Sequence, residues 1–147
     1  MKLNVAIRIP SNILNIRDSF SQELVKLWLE RNLSGKVFWF IDSRGSTVSY
    51  IMVEEMGEIN TIRGFYTEPS FRNQGIGSEL LQTVYDYYEA LGARAMVVNI
   101  TKGAERIYEK QGYEILGTRK DFQDQKIATK GKLTDKEQEK LKKKIKF

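Results

Sequence analysis

From Leu3 to Ile9 apolar and polar positions alternate with the period of a strand, and Pro10 ends the run. Between Ser19 and Arg31 the period becomes helical, with Phe20, Leu24, Leu27 and Trp28 on one face. Ser19 and Gln22 are spaced as a capping box, and Gly35 marks the stop. Lys36–Ile41 and Ser46–Val53 predict two strands around the turn "DSRG", and Glu58–Thr67 a third that closes before Pro69. Ile76–Leu91 carries the strongest helical stripe in the chain: Ile76, Leu80, Val84, Tyr87 and Leu91, broadened by Leu81 and Tyr88. After Gly92 the pattern predicts a strand at Arg94–Ile100, a short helix at Ala104–Gln111, and strands at Tyr113–Thr118 and Lys126–Lys130. A last, exposed helix starts at Thr134, which forms a second capping box with Glu137.

A strand meander followed by strand, helix, strand, helix and strand predicts a mixed α/β (α+β) domain with helices packed on its sheet. At 147 residues there is room for one such domain, expected over 1–125, with a basic strand and helix tail over 126–147. That tail holds nine lysines against three acids, so the net charge of +5 lies there and the preceding 125 residues are close to neutral. An acidic partner for the tail is one expectation, and a solubilising helix is the plainer one. The longest fully apolar run is "VFWFI", too short to span a bilayer, and the expected location is cytoplasmic. There is no cysteine and no histidine. Thiolate nucleophiles, thiolate metal sites and the commonest general base are therefore excluded, and no metal is expected.

One stretch concentrates chemistry. "FRNQGIGSELL" (Phe71–Leu81) places Arg72 and two glycines at the mouth of the strongest helix. A helix start presents free N–H groups and partial positive charge, glycines let a bulky anion approach, and an arginine fork matches phosphate oxygens. The dinucleotide fingerprint would need a glycine where Leu80 stands, and a Walker loop would need Lys-Ser/Thr where Ser78 and Glu79 follow Gly77. On the glycine pair alone, a tight strand-to-helix turn explains the pattern equally well.

Gly64–Gly92 resembles the acetyl-CoA-binding segment of the GNAT family of N-acetyltransferases, with its Arg/Gln-x-x-Gly-x-Gly/Ala run behind a strand that ends in Thr67-Glu68-Pro69. "AERIYEKQGYEILGTR" (Ala104–Arg119) is similar to the family's second motif, and the two stand in the right order. The resemblance implies a central, mostly antiparallel mixed sheet splayed between two strands, with coenzyme A wedged there. It implies that the diphosphate rests on the amides of Gln74, Gly75, Ile76, Gly77 and Ser78, with Arg72 and Asn73 alongside. It also implies that the pantetheine arm pairs with the backbone of Phe65, Tyr66 and Thr67, and that Tyr108 protonates the departing thiolate. Acetyl-CoA is then the co-substrate, an amine the acceptor, and a dimer one of the open assemblies.

Two positions depart from the family. Thr101 stands where a cofactor-binding asparagine is common, and Thr61 where many members carry a basic glutamate. The latter matters, because a lysine-type amine is neutral only about once in 2,500 at pH 7. Glu54, Glu55 and Glu58 are the nearest carboxylates in sequence and could form an acidic rim. Two rival readings follow: a catalytically idle acyl-CoA sensor or scaffold, and a nucleic-acid-associated protein acting through its lysines.

Overall fold

The computed structural model describes residues 1–10, 13, 16, 18–31, 33–121 and 124–145, with Ser19 and Phe20 described by their backbone alone. Its elements are β1 (Lys2–Ala6), α1 (Ser19–Glu30), β2 (Gly35–Ile41), β3 (Thr47–Glu54), β4 (Ile59–Thr67), α2 (Ile76–Ala90), β5 (Ala95–Thr101), α3 (Glu105–Lys110), β6 (Glu114–Thr118), β7 (Gln125–Gly131) and α4 (Asp135–Lys142). The strands form a seven-stranded sheet in the order β1-β2-β3-β4-β5-β7-β6, a mixed α/β architecture as expected. The chain divides into two compact units, Met1–Glu55 with Ile62–Val84, and Met56–Thr61 with Tyr85–Phe147.

In the first unit β2 pairs antiparallel with both β1 and β3. Every residue of β3 from Thr47 to Val53 is buried, the mark of a strand covered on both faces. The register places Val37 beside Met52 and Trp39 beside Tyr50. Together with Tyr66 these residues form the core on which Trp28, Leu24 and Val25 of α1 pack. On the opposite face Gly77, at the head of α2, sits against Phe65 and Thr67. Two details differ from the expected α1. Its cap is Asp18, whose Oδ2 accepts the Ser21 amide at 2.9 Å, because the short carboxylate reaches the third helical N–H. The Ser19 hydroxyl and the Phe20 ring lie outside the described side chains. Leu27 is 40% exposed, since Trp28 fills the contact face one position further round.

In the second unit β7 lies between β5 and β6, antiparallel to both. Residues 126–131, expected at the head of a basic tail, thus form an inner strand. The chain beyond them is docked. Thr134 and Glu137 close the expected capping box, and the Glu137 carboxylate also takes both arms of Arg94, at 2.9 and 3.0 Å. Arg94 Nε holds Glu58 at 2.7 Å. Leu141 and the buried Ile145 pack with Val97, Ile127, Leu116 and Ile59. Ile145 fills the space where any side chain on Gly117 would lie, its Cγ2 only 2.5 Å from that position.

The Arg94 fork, followed by the Thr134 amide, holds Glu137 well below the usual carboxylate range, at about 2. A depressed carboxylate stabilises the folded form above its ordinary pKa and loses that contribution as pH falls through the folded value. Protection factors of the α4 amides, which correct for the intrinsic pH dependence of exchange, should therefore fall between about pH 4.5 and pH 2. Glu137→Gln should already show low protection at neutral pH and no further fall across that interval.

Candidate functional site

The turn between β4 and α2 owes its shape to two left-handed residues. Asn73 has φ 62° and Gly75 φ 79°. Asparagine tolerates this region and glycine enters it without cost. The two motif glycines serve different ends. A Cβ on Gly75 would meet nothing within 4 Å, so its backbone faces open space. A Cβ on Gly77 would stand 3.0 Å from Thr67 Oγ1 and 3.2 Å from Phe65 Cζ, so this glycine lets α2 seat on β4. The first helical bond at this end runs from the Glu79 amide to the Gly75 carbonyl at 3.0 Å. The amides of Ile76 and Gly77 precede it and have no carbonyl one turn back to reach.

Side chains brace the turn. Arg72 Nε donates to the Thr67 carbonyl at 2.8 Å, and its guanidinium lies 5.7 Å over the Tyr66 ring. Gln74 Nε2 donates to the Ser70 carbonyl at 3.1 Å. The hydroxyl of Ser49, from β3, donates to the Tyr66 carbonyl at 2.8 Å and lies 2.9 Å from Thr67 Oγ1. Phe65, Tyr66, Thr67, Arg72, Asn73, Gln74, Gly75, Ile76, Gly77 and Ser78 are thus gathered in the first unit. Two carbonyls of the Phe65–Thr67 segment are already engaged, Tyr66 by Ser49 and Thr67 by Arg72.

Thr101 and Tyr108 belong to the second unit. Thr101 ends β5, exposed, and its carbonyl accepts the Ala104 amide at 3.1 Å. Tyr108, on α3, is 5% exposed and meets Tyr113 edge-on, with ring centroids 5.4 Å apart. Burial pushes its phenol well above the ordinary tyrosine range, so it carries its proton at neutral pH. Lys130 caps the neighbouring aromatic pair, with its ammonium 4.1 Å over the Tyr85 ring and 5.9 Å over Tyr113.

The three carboxylates expected as an acidic rim each hold a cation. Glu54 binds Arg63 at 2.7 Å, Glu55 binds Lys36, and Glu58 binds Arg94. Their charge is compensated locally, so they do not form a free acidic rim. Thr61 is 8% exposed, and its hydroxyl points to Met56 Sδ at 3.8 Å.

A family model described as an acetyltransferase (GNAT) domain matches residues 14–130. The chain belongs to the GNAT acetyltransferase family. A curated relative, an uncharacterized N-acetyltransferase of Methanocaldococcus jannaschii, is 29% identical over 85 residues. That match covers 56% of this chain and 36% of the relative, so the chain aligns with just over a third of that protein's length. Among solved structures, a Bacillus subtilis acetyltransferase in complex with CoA has TM-score 0.72 at 14% identity, covering 90% of this chain and 99% of its own. A GNAT family acetyltransferase from Elizabethkingia anophelis with acetyl-CoA bound has TM-score 0.69 at 20% identity, covering 88% and 98%. These likenesses establish the GNAT fold.

Sequence reasoning missed Ser49 and Asp18. Ser49 left a signal, a serine within the mostly apolar run "TVSYIMV". A polar side chain in a buried strand must find a partner, and here it finds the β4 backbone. Among the described residues no helix is long and apolar enough to cross a membrane.

Proposed function

We propose that this GNAT protein is an N-acetyltransferase that moves an acetyl group from acetyl-CoA to a primary amine by direct attack in a ternary complex, in the cytoplasm. The observation that carries the reading is the Asn73–Gly75 left-handed turn opening α2, with its backbone facing open space and Arg72 tied to the end of β4. The residues fit an acyl-CoA. The amides of Gln74 to Ser78 would hold its diphosphate, aided by the two terminal nitrogens of Arg72. The backbone at Phe65–Thr67 would pair with the pantetheine arm, and an amide there would stabilise the oxyanion. Bound CoA and acetyl-CoA in the Bacillus subtilis and Elizabethkingia anophelis proteins support this choice. Thr101 would contribute a single hydroxyl contact to the same ligand.

Tyr108 would serve the departing sulfur. A thiol ordinarily has pKa about 8.5 and a phenol about 10, so full proton transfer is uphill by about 2 kcal/mol even before burial. Tyr108 then acts chiefly as a hydrogen-bond donor to the thiolate, and solvent completes its protonation. Tyr108→Phe should lower kcat about tenfold, the worth of roughly one such bond, with unchanged affinity for acetyl-CoA. Thiol-release kinetics beside calorimetry checks both halves.

Heat of association with acetyl-CoA, followed by thiol release with an amine panel, tests the function. Absence of both would remove it. Thr61, in place of a glutamate and turned to Met56, favours the second reading, a protein that binds acyl-CoA without turnover. Association without thiol release above background would select it. The lysines beyond residue 126 remain suited to an acidic partner through charge alone.

A further inference from the structure

With Thr61 unable to take a proton and Glu54, Glu55 and Glu58 each paired to a cation, the acceptor amine lacks an obvious base. Glu68 is in a different position. It follows the end of β4, is half-buried, and makes no ion pair with any cation among the described residues. It lies two positions beyond Tyr66, on the same side of the extended segment. The neighbouring Tyr66 is 7% exposed, and burial, followed by the charge of Glu68, raises its phenol above the ordinary tyrosine range.

The side of the sheet is defined by contacts. A Cβ on Gly64, also two positions from Tyr66, would stand 2.5 Å from Leu24 of α1. Tyr50 lies 5.6 Å from Tyr66 between ring centroids, and its hydroxyl donates to Ser21 of α1 at 2.8 Å. Phe65 and Thr67 point the other way, under α2. The charged groups around Tyr66 and Glu68 are therefore Asp18 from the head of α1 and Arg72 from the turn, with the phenol of Tyr50 from β3. Asp18 adds negative charge on the same side. Arg72 spends its Nε–H on the Thr67 carbonyl, and its guanidinium lies 5.7 Å over the Tyr66 ring.

We propose that Glu68 is the catalytic carboxylate that receives a cationic primary amine from the α1 side and takes its proton, beside the buried Tyr66 phenol. The proposal rests on the N-acetyltransferase reading above. It meets the need directly, since a lysine-type ammonium is neutral only about once in 2,500 at pH 7. One proton leaves the ammonium for Glu68 and then water. The freed nitrogen pair forms the C–N bond as the C–S pair departs with sulfur. The remaining excess proton on nitrogen passes through solvent to the thiolate. The sum is amide, thiol and one released proton.

The test compares wild type with Glu68→Gln, using lysine amide, spermidine and an alanyl peptide as acceptors. Calorimetry measures acetyl-CoA binding, and also amine binding to the CoA-saturated protein. Glu68→Gln should lower kcat/KM for the amine about 100-fold at pH 7, the low end for a general base. Its affinity for acetyl-CoA should stay within about twofold and its affinity for lysine amide should fall, since it lacks the charge. The kinetic deficit should shrink as pH approaches about 10, where the amine frees itself. Tyr66→Phe, which keeps the carboxylate, should retain the wild-type pH profile with a loss of a few-fold. Wild-type rates, profile and amine affinity in Glu68→Gln would overturn the assignment. So would a wild type that binds acetyl-CoA and acetylates none of the three amines. A wild type that does not bind acetyl-CoA would instead overturn the function reading itself.

Discussion

Gly131→Ala is expected to destabilise the protein by about 4 kcal/mol. Gly131 ends β7 with φ 108°, a conformation that side-chain-bearing residues rarely adopt. A Cβ there would lie 2.2 Å from the Arg94 carbonyl oxygen and 2.8 Å from Ala95 Cα, both backbone atoms that no rotamer change can move. Strain of about 1–3 kcal/mol and an overpacking cost of about 1–3 kcal/mol act together. The stability of a domain this size is only about 5–15 kcal/mol, so the melting temperature should drop by about 10 °C or more. Gly45→Ala is the matched control. Gly45 shares a positive φ of 80° but has nothing within 4 Å of the added methyl group. It should cost only the strain, about 1 kcal/mol. Equal melting temperatures for the two variants would show that the approach of β7 to the start of β5 is not tight.

Arg72→Ala is expected to weaken acetyl-CoA binding by about 10- to 100-fold, with a melting temperature close to that of wild type. Hydrogen bonds to charged groups contribute about 1.5–3 kcal/mol, and each 1.4 kcal/mol is tenfold in affinity. The exposed guanidinium contributes little to the fold, but it also ties the turn to Thr67, so its loss loosens the turn as well as removing charge. Arg72→Lys separates the two effects. It keeps the charge and loses the Nε–H that reaches Thr67, and it should fall between alanine and wild type. Calorimetry with acetyl-CoA would decide. Full affinity in Arg72→Ala would remove the arginine from the site.

What could be read from the chain was local. The tight strand-to-helix turn, the helix from Ile76 and the Thr134–Glu137 box depend on residues within a few positions of one another and stand as expected. Leu91, expected on the helix's apolar stripe, instead lies past its end and is 66% exposed. What was hidden depends on partners distant in sequence. Glu54, Glu55 and Glu58 read as a free acidic rim because their cations lie 9, 19 and 36 residues away. The place of β7 between β5 and β6 is a pairing choice that no periodicity encodes. Leu27 and Trp28 both satisfied the helical stripe, and only the shape of the facing core decided between them. At the turn, spacing revealed that the glycines mattered but not that their roles differ, since that depends on what each missing methyl group would strike.

The carboxylate of Glu137 closes the first turn of α4 and also grips Arg94, which adjoins β5. The same carboxylate therefore closes the terminal helix and fastens it to the start of an inner strand. A polypeptide trimmed to the span the family shares, which stops at residue 130, would forfeit that latch and the plug Ile145 makes. Val97, Ile127 and Leu116 would then be laid bare to water, a sticky patch that favours self-association over solubility.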